Sequence, residues 1–320
     1  MKNVLITGAT GFIGSYLVEE FAKDNLVIGF IRPGSKSVKR MEYQARPWNK
    51  TYIEHDIRKP FKRKPFNYNH KIDIILHAGG NPSSESSFHD PYSMVMDNIV
   101  GTANVLEFAR QNDIKRVVYY GAAESYGPSK DIERGTIESD AYNSLTPYAA
   151  CKSAGSELCM AYSNSYGIKV SVLNIANTFG EKCQTNRFPI IVLKKIFENK
   201  PITINKGSDG SIGGRRWFHA EDVALQTRYI LDNQESLNDV WNLAGKDFID
   251  NLTFANMIAD AYGGSLKVKF DTVKRSGHES FMSLSPKKLY DFGWKDPYTI
   301  NERIIQMVDW YNKNSRWIYD

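Results

Sequence analysis

The stretch Val4–Gly14, Val-Leu-Ile-Thr-Gly-Ala-Thr-Gly-Phe-Ile-Gly, constrains this chain more than any other. An apolar run through Val4, Leu5 and Ile6 stops at Thr7, glycines follow at Gly8, Gly11 and Gly14, and helical periodicity resumes through Ile13, Leu17, Val18 and Phe21. That order predicts strand, tight turn and helix. A pyrophosphate needs backbone N–H groups at close range and the positive end of a helix dipole, and glycine removes the Cβ that would block the approach. Glycines alone make only a turn; the strand before them and the helix after them are the context a dinucleotide site requires.

Further strands are predicted at Leu26–Ile31, Ile72–Leu76, Val117–Tyr120, Lys169–Ile175 and Asp239–Leu243. Helices are predicted at Met94–Arg110, Tyr148–Tyr166, Phe188–Phe197, from Asp222 onward and at Ile300–Tyr311, the last preceded by Thr299 and carrying Glu302 at capping-box spacing. Strands and helices that alternate in this way imply a doubly wound parallel sheet covered on both faces. The pattern changes character near Asn177. The expected division is therefore a Rossmann domain over 1–176, with about 217–243 returning to it, and a smaller carboxy-terminal lobe over 177–320.

Composition excludes little but narrows the partners. The 320 residues suffice for one large domain or two modest ones, and a net charge of +5 with interspersed acidic residues gives no push towards nucleic acid. Basic clusters at Arg32–Arg40 and Lys59–Lys64 are the exceptions, the second reading as a solvated loop. Three cysteines, Cys151, Cys159 and Cys183, have neither metal-ligand nor disulfide-framework spacing. The first strand starts within a few residues of Met1 and no apolar run approaches bilayer length, so the expectation is a cytoplasmic protein with no leader and no membrane segment. His77 closes the Ile72–Leu76 strand and reads as a packed strand-end residue, since no second histidine stands at metal spacing.

Two positions bear on chemistry before any comparison. In dinucleotide folds an acidic residue at the end of the second strand holds the ribose hydroxyls; here that position is Arg32, which can pair with a 2′-phosphate and tilts the cofactor towards NADP, or is a surface residue beside a permissive site. Tyr148 and Lys152 stand four apart, on one helical face. A free phenol ionises near pH 10, so a phenolate base at neutral pH needs about three pKa units, roughly 4 kcal/mol, of differential stabilisation. A neighbouring ammonium can supply part of it.

With the glycine turn, Asp56-Ile57, the strand ending at His77, Asn98 with Gly101-Thr102, Tyr126-Gly127, Tyr148–Lys152, Asn177–Gly180, Arg215–Asp222 and Phe292–Trp294 in sequence order, the chain resembles the extended short-chain dehydrogenase/reductases, and within them the nucleotide-sugar epimerase and dehydratase family. The resemblance implies NAD or NADP as cofactor, held by Gly8, Gly11, Phe12, Ile13, Gly14, Arg32, Asp56, Ile57, Gly79, Tyr148 and Lys152. It implies Tyr148 as base, Lys152 as its electrostatic partner and Glu124 as an acid and base in turn. Ser87, Asn177 and Arg215 are implied contacts for a nucleoside-diphosphate sugar. It also implies a homodimer joined through the helices around 101–110 and 148–166.

The chain departs from that family at Ala122, where a serine or threonine hydroxyl would bond the reacting oxygen, and at Ala123, where the dehydratase branch has an aspartate. Loss of one preorganised donor typically costs on the order of 10² to 10³ in rate. Ser125 is the nearest hydroxyl, but strand alternation would face it away. Glu124 retains the dehydratase glutamate, or is a structural residue before the Tyr126-Gly127 turn. The reading is thus an enzyme that oxidises a nucleotide sugar at C4 and then eliminates water or inverts the centre. A ketosugar reductase using NADPH and a non-catalytic cofactor-binding protein stand as alternatives.

Overall fold

The computed structural model describes all residues except 45–48, 62–70, 208, 234–237, 273–280 and 320. The basic run at 62–64 and the start of the predicted loop at Ser208 therefore lie outside the described residues.

The glycine-flanked stretch folds as read, with β1 at Asn3–Thr7 and α1 at Phe12–Phe21. Then come β2 (Leu26–Ile31), β3 (Lys50–Glu54) and β4 (Ile74–His77). The predicted helix at 94–110 starts earlier and is interrupted. After α2 (Ser84–His89), α3 begins at Pro91, whose ring suits a first helical turn, and runs to Val95; a π turn at Met96–Val100 leads into α4 (Gly101–Gln111). Next are β5 (Arg116–Ala122), a 3₁₀ turn at Ala123–Tyr126, α5 (Pro147–Tyr166) and β6 (Lys169–Ile175). Thr146 caps α5 by accepting from the Ala149 N–H at 3.1 Å.

The remaining elements are β7 (Thr178–Phe179), α6 (Phe188–Phe197), β8 (Ile202–Lys206), β9 (Gly214–Arg215), β10 (Phe218–His219), α7 (Ala220–Asn233) and β11 (Asp239–Leu243). They are followed by β12 (Ile249–Asp250), α8 (Asn251–Tyr262), β13 (Val268–Thr272), β14 (Phe281–Met282), α9 (Lys287–Asp291), α10 (Ile300–Lys313) and α11 (Arg316–Tyr319). The capping box read from Thr299 and Glu302 is present at the start of α10.

Among the described residues the main sheet has seven strands in the order β11-β6-β5-β4-β1-β2-β3, and β3 through β6 pair in parallel throughout. Strand order reverses between β1 and β4, which is the switch point where ligands of such sheets bind, beyond the carboxyl ends of the strands. The strands are buried on both faces: Leu5, Ile28, Ile75, Val117 and Val170 share one core with Val105 and Phe108 of α4 and Cys159 of α5. Each fully buried aliphatic side chain contributes about 1.5–3 kcal/mol.

By contacts the chain forms two compact units. The first comprises Met1–Tyr126, Ala141–Ile175 and Val223–Trp241; the second comprises Gly127–Asp140, Ala176–Asp222 and Asn242–Asp320. Within the second unit β10 pairs with β7, β9 lies between β12 and β14, and β8 pairs with β13. Among the described residues no helix is long and apolar enough to cross a membrane.

Candidate active site

The turn after β1 is built for close approach. Gly8 has φ +66°, and a Cβ on it would lie 2.7 Å from the Ala78 carbonyl oxygen; on Gly14 it would lie 2.0 Å from the Gly8 carbonyl oxygen. Only hydrogen fits at either place. The Gly11 N–H donates to Gly8 O at 2.8 Å, closing the turn, and α1 begins at Phe12 with no side-chain cap. Its first-turn N–H groups, those of Phe12, Ile13 and Gly14, therefore have no intrahelical acceptor and carry the positive end of the helix dipole. A cradle without Cβ atoms, ending on an uncapped helix, fits a dinucleotide pyrophosphate.

Behind the cradle runs a hydrogen-bonded wire that periodicity could not reveal. Thr102 Oγ1 donates to Asn98 O at 2.6 Å, so its lone pair receives His77 Nε2–H at 3.1 Å. His77 Nδ1 then accepts from Thr7 Oγ1 at 2.7 Å, and Thr7 in turn receives the Gly79 N–H at 3.0 Å. Every group in the wire has its partner and the imidazole tautomer follows. Burial, and secondarily the Lys152 charge, push the His77 pKa down to about 3, so the ring stays neutral. His77 is the packed strand-end residue that the sequence suggests, and it locks β1 to β4 at the cradle.

The other cofactor candidates divide. Ile57 packs its Cδ1 against Gly79 and Gly101, 3.2 and 2.9 Å from where a Cβ would stand on each. Asp56 is held by Arg58, whose Nε lies 2.9 and 3.0 Å from the two carboxylate oxygens. The Arg58 side chain is the first cause that keeps the Asp56 carboxyl below its usual range. Arg32 follows β2 directly, and its exposed guanidinium stands 3.8 Å from Asp97. Arg40 is buried and donates to Thr10 O at 3.3 Å, turned towards the glycine turn.

On α5, Tyr148 is 8% exposed and Lys152 9%. Tyr148 belongs to one small buried cluster with Ala122, Cys151 and Met94. Lys152 Nζ donates to Tyr120 O at 2.5 Å and lies 4.5 Å from the Tyr119 ring centroid. Burial pushes its ammonium down to about 8, while the Cys159 and Glu124 charges pull the other way. Ser125 sits in the 3₁₀ turn rather than on a continuing strand, so the alternation argument does not apply to it; its hydroxyl is fully buried, with no hydrogen-bond partner among the described residues. Ser87 is also fully buried, and its hydroxyl donates to Ser84 O at 2.6 Å within its own helix. That bond turns Ser87 inward.

The second unit carries Asn177 and Arg215. Asn177 follows β6, and its Oδ1 is buried with no hydrogen-bond partner among the described residues. Arg215 lies on β9, where it pairs with Ile249 of β12 and Met282 of β14, and its Nη1 donates to Gly214 O at 2.7 Å. The neighbouring Arg216, for which the sequence gives no separate signal, gathers the segment 127–140. It donates to Ser283 Oγ at 2.8 Å, to Glu133 O at 3.1 Å, to Ile132 O at 3.4 Å and to Lys246 O. Deeper in the same unit Arg303 binds Glu221 at 2.6 Å, Gln306 at 2.9 Å and Asp222.

A glycine turn between strand and helix at the switch point of a parallel sheet, with a buried tyrosine and lysine four apart on α5, defines a short-chain dehydrogenase/reductase. The particular group follows from comparison: the chain belongs to the NAD dependent epimerase/dehydratase family, whose model matches residues 4–244. It is 27% identical over 327 residues to a trifunctional UDP-glucose 4,6-dehydratase/UDP-4-keto-6-deoxy-D-glucose 3,5-epimerase/UDP-4-keto-L-rhamnose-reductase of Arabidopsis thaliana, covering 99% of this chain but 48% of that protein. The chain thus spans about half the length of that relative. A putative UDP-glucose 4-epimerase of Methanocaldococcus jannaschii is 26% identical over 98% of this chain and 99% of its own length. The fold matches the UDP-N-acetylglucosamine 4-epimerase of Methanobrevibacter ruminantium, solved with UDP-N-acetylmuramic acid, with a TM-score of 0.87 at 22% identity over 98% of this chain and 99% of that one.

Proposed function

We propose that the chain is an enzyme of nucleoside-diphosphate sugars that oxidises the sugar at C4 and then either eliminates water across C5 and C6 or restores C4 with inverted configuration. The observation that carries this reading is the buried Tyr148 and Lys152 on α5, in the same unit as the glycine cradle. Gly8, Gly11, Phe12, Ile13 and Gly14 would hold the pyrophosphate of NAD or NADP, with Asp56, Ile57 and Gly79 beside the adenosine. When bound, the nicotinamide supplies the acceptor and donor of hydride.

Tyr148 takes the proton of the O4 hydroxyl. The Lys152 ammonium stabilises the phenolate, and its depressed pKa of about 8 leaves it mostly protonated at neutral pH. Above that value the charge is lost and the phenol becomes a harder acid to ionise, so kcat/KM acquires a limiting group near pH 8. Glu124 carries protons at C5 and C6. Ala122 offers no hydrogen bond to O4, and turnover is correspondingly slow. Asn177 and Arg215 bind the diphosphate, for which a planar guanidinium is suited. Helices α4 and α5 pair two subunits, a state that light scattering reads directly, and the protein works in the cytoplasm.

The test is incubation with UDP- and dTDP-hexoses and NAD or NADP, followed by mass spectrometry. Loss of water identifies the dehydratase, and unchanged mass with altered stereochemistry the epimerase. Net consumption of NADPH would instead identify the ketosugar reductase. Tyr148→Phe should lower turnover by about 10² to 10⁴ while cofactor binding persists. Equal turnover in this variant would overturn the catalytic assignment.

A further inference from the structure

Four charged side chains meet beyond the carboxyl ends of β2 and β3, and the sequence connects only two of them. Arg32 follows β2; Asp56 and Arg58 follow β3; Asp97 comes from the π turn before α4. Asp97 Oδ1 lies 3.8 Å from Arg32 Nη1 and 3.8 Å from Arg58 Nε, so one carboxylate oxygen serves two guanidiniums. Arg58 meanwhile forks onto Asp56, with Nη2–Oδ2 at 2.5 Å. The two positive and two negative charges balance. The carboxylates are the more buried partners: the Asp56 and Asp97 side chains are 13% and 10% exposed, against 58% for Arg32.

This edge of the sheet is the cofactor's adenosine end if the glycine cradle holds a dinucleotide, because Thr7 before the cradle pairs in register with Phe30, two residues before Arg32. Folds of this kind select the cofactor there: a carboxylate at the end of the second strand takes the ribose hydroxyls, and an arginine takes a 2′-phosphate. Taken alone, Arg32 argues for the phosphate. Its setting argues otherwise. A phosphate monoester brings a charge of about −1.5 to −2. It would have to approach a buried carboxylate and compete with that carboxylate for both guanidiniums. A hydroxyl brings no charge and can donate to the same carboxylate.

We propose that Asp97 supplies, from the π turn, the carboxylate that the end of β2 lacks, and that it selects the dinucleotide with a free 2′-hydroxyl over the 2′-phosphorylated form. Arg32 acts in this arrangement as an exposed counter-charge to Asp97. The π turn is part of the device, since one-turn π segments inside helices recur at functional positions. The inference rests on the dinucleotide reading of the glycine cradle.

Equilibrium titration of the full chain with NAD⁺ and NADP⁺, followed calorimetrically without any substrate, tests it. The wild-type protein should bind NAD⁺ at least about tenfold more tightly than NADP⁺. Removing one negative charge at the phosphate position in Asp97→Asn should narrow that ratio by about tenfold, chiefly through tighter NADP⁺ binding. Asp97→Glu, which keeps the charge, should leave the preference for NAD⁺ in place. Arg32→Ala provides a variant that does not depend on the Asp97 side chain's packing: the ratio should move less than about threefold, because the guanidinium is already compensated. Tighter NADP⁺ binding by the wild type, an unmoved ratio in a folded Asp97→Asn, or a tenfold loss of NADP⁺ in Arg32→Ala would each overturn the assignment. Failure of a folded wild-type chain to bind either dinucleotide is a distinct result, and it removes the cradle reading itself.

Discussion

Each unit of this molecule buries a polar centre, and the two centres are made differently. In the first unit the centre is the neutral wire from Gly79 through Thr7, His77 and Thr102 to Asn98, in which each donor has one acceptor. In the second it is charged: Arg303, 2% exposed, faces Glu221 and Asp222, and its guanidinium lies 4.2 Å from the centroid of the Tyr298 ring. A neutral wire costs little to bury and fixes geometry at the cradle. A buried ion cluster costs several kcal/mol per desolvated charge and returns it only while all partners stay in place. The contrast predicts that the two units fail differently under mutation and under acid.

The largest effect should come from the charged centre. Arg303→Met leaves Asp222 buried without its counter-ion and should destabilise the protein by about 3–5 kcal/mol at neutral pH, measured by denaturant unfolding. Burial already raises the Asp222 pKa and Arg303 opposes that rise. Removing the arginine lifts it further, so the folded variant holds a proton that the unfolded chain releases. Its deficit should therefore grow as pH rises from about 4 to 7 and shrink as pH falls. A deficit independent of pH would mean that Asp222 is not the charge Arg303 compensates.

The neutral centre should give a smaller loss that also shrinks on acidification, here because the wild type, and not the variant, carries the titrating group. His77→Leu leaves the Thr7 hydroxyl proton without its acceptor and removes one of the two bonds at Thr102, which keeps its bond to Asn98 O, and should cost about 1–3 kcal/mol for the unsatisfied buried donor. In the wild type the His77 pKa sits near 3, below its unfolded value. Between about pH 6.5 and 3 the unfolded chain binds the proton and the folded chain does not, so stability falls on acidification by up to about 1.4 kcal/mol per pH unit. His77→Leu should abolish that component of the slope. Retention of the full acid slope in the variant would place it elsewhere.

The same contrast explains what the sequence could and could not disclose. The glycine turn, the Tyr148–Lys152 pair and the Thr299–Glu302 capping box are short-range patterns, and all three appear in the structure where spacing puts them. Strand limits at Leu26–Ile31, Lys169–Ile175 and Asp239–Leu243 coincide with the observed ones. The polar centres are different in kind. Thr7 and His77 are 70 residues apart, Arg216 and Glu133 83, and Arg303 and Asp222 81, and no local periodicity marks such pairs. The π turn that carries Asp97 and the 3₁₀ turn that carries Ser125 escape detection for another reason: the first lies between α3 and α4 within one helical run, and the second follows β5 directly, so neither is set off by a break in the local pattern.

The smallest expected effect sharpens the comparison by taking a charged network out to the surface. On α4, Glu107 accepts from Arg110 at 3.0, 3.2 and 2.9 Å and from Tyr162 at 2.8 Å, and these bonds, that of Arg110 first, push its carboxyl down to about 2. At face value a depression of that size would stabilise the fold by about 3 kcal/mol above the unfolded pKa, lost as pH falls through 2. The side chains of Arg110 and Glu107 are however 42% and 35% exposed, and solvent screens such a pair. Glu107→Gln should therefore cost less than about 1 kcal/mol at pH 7, and less still in 0.5 M salt. Its loss should fade on acidification, as both forms become neutral. A cost equal to that of Arg303→Met would show that hydrogen-bond geometry alone sets the worth of an ion pair here, and that burial, on which the distinction between the two centres depends, does not.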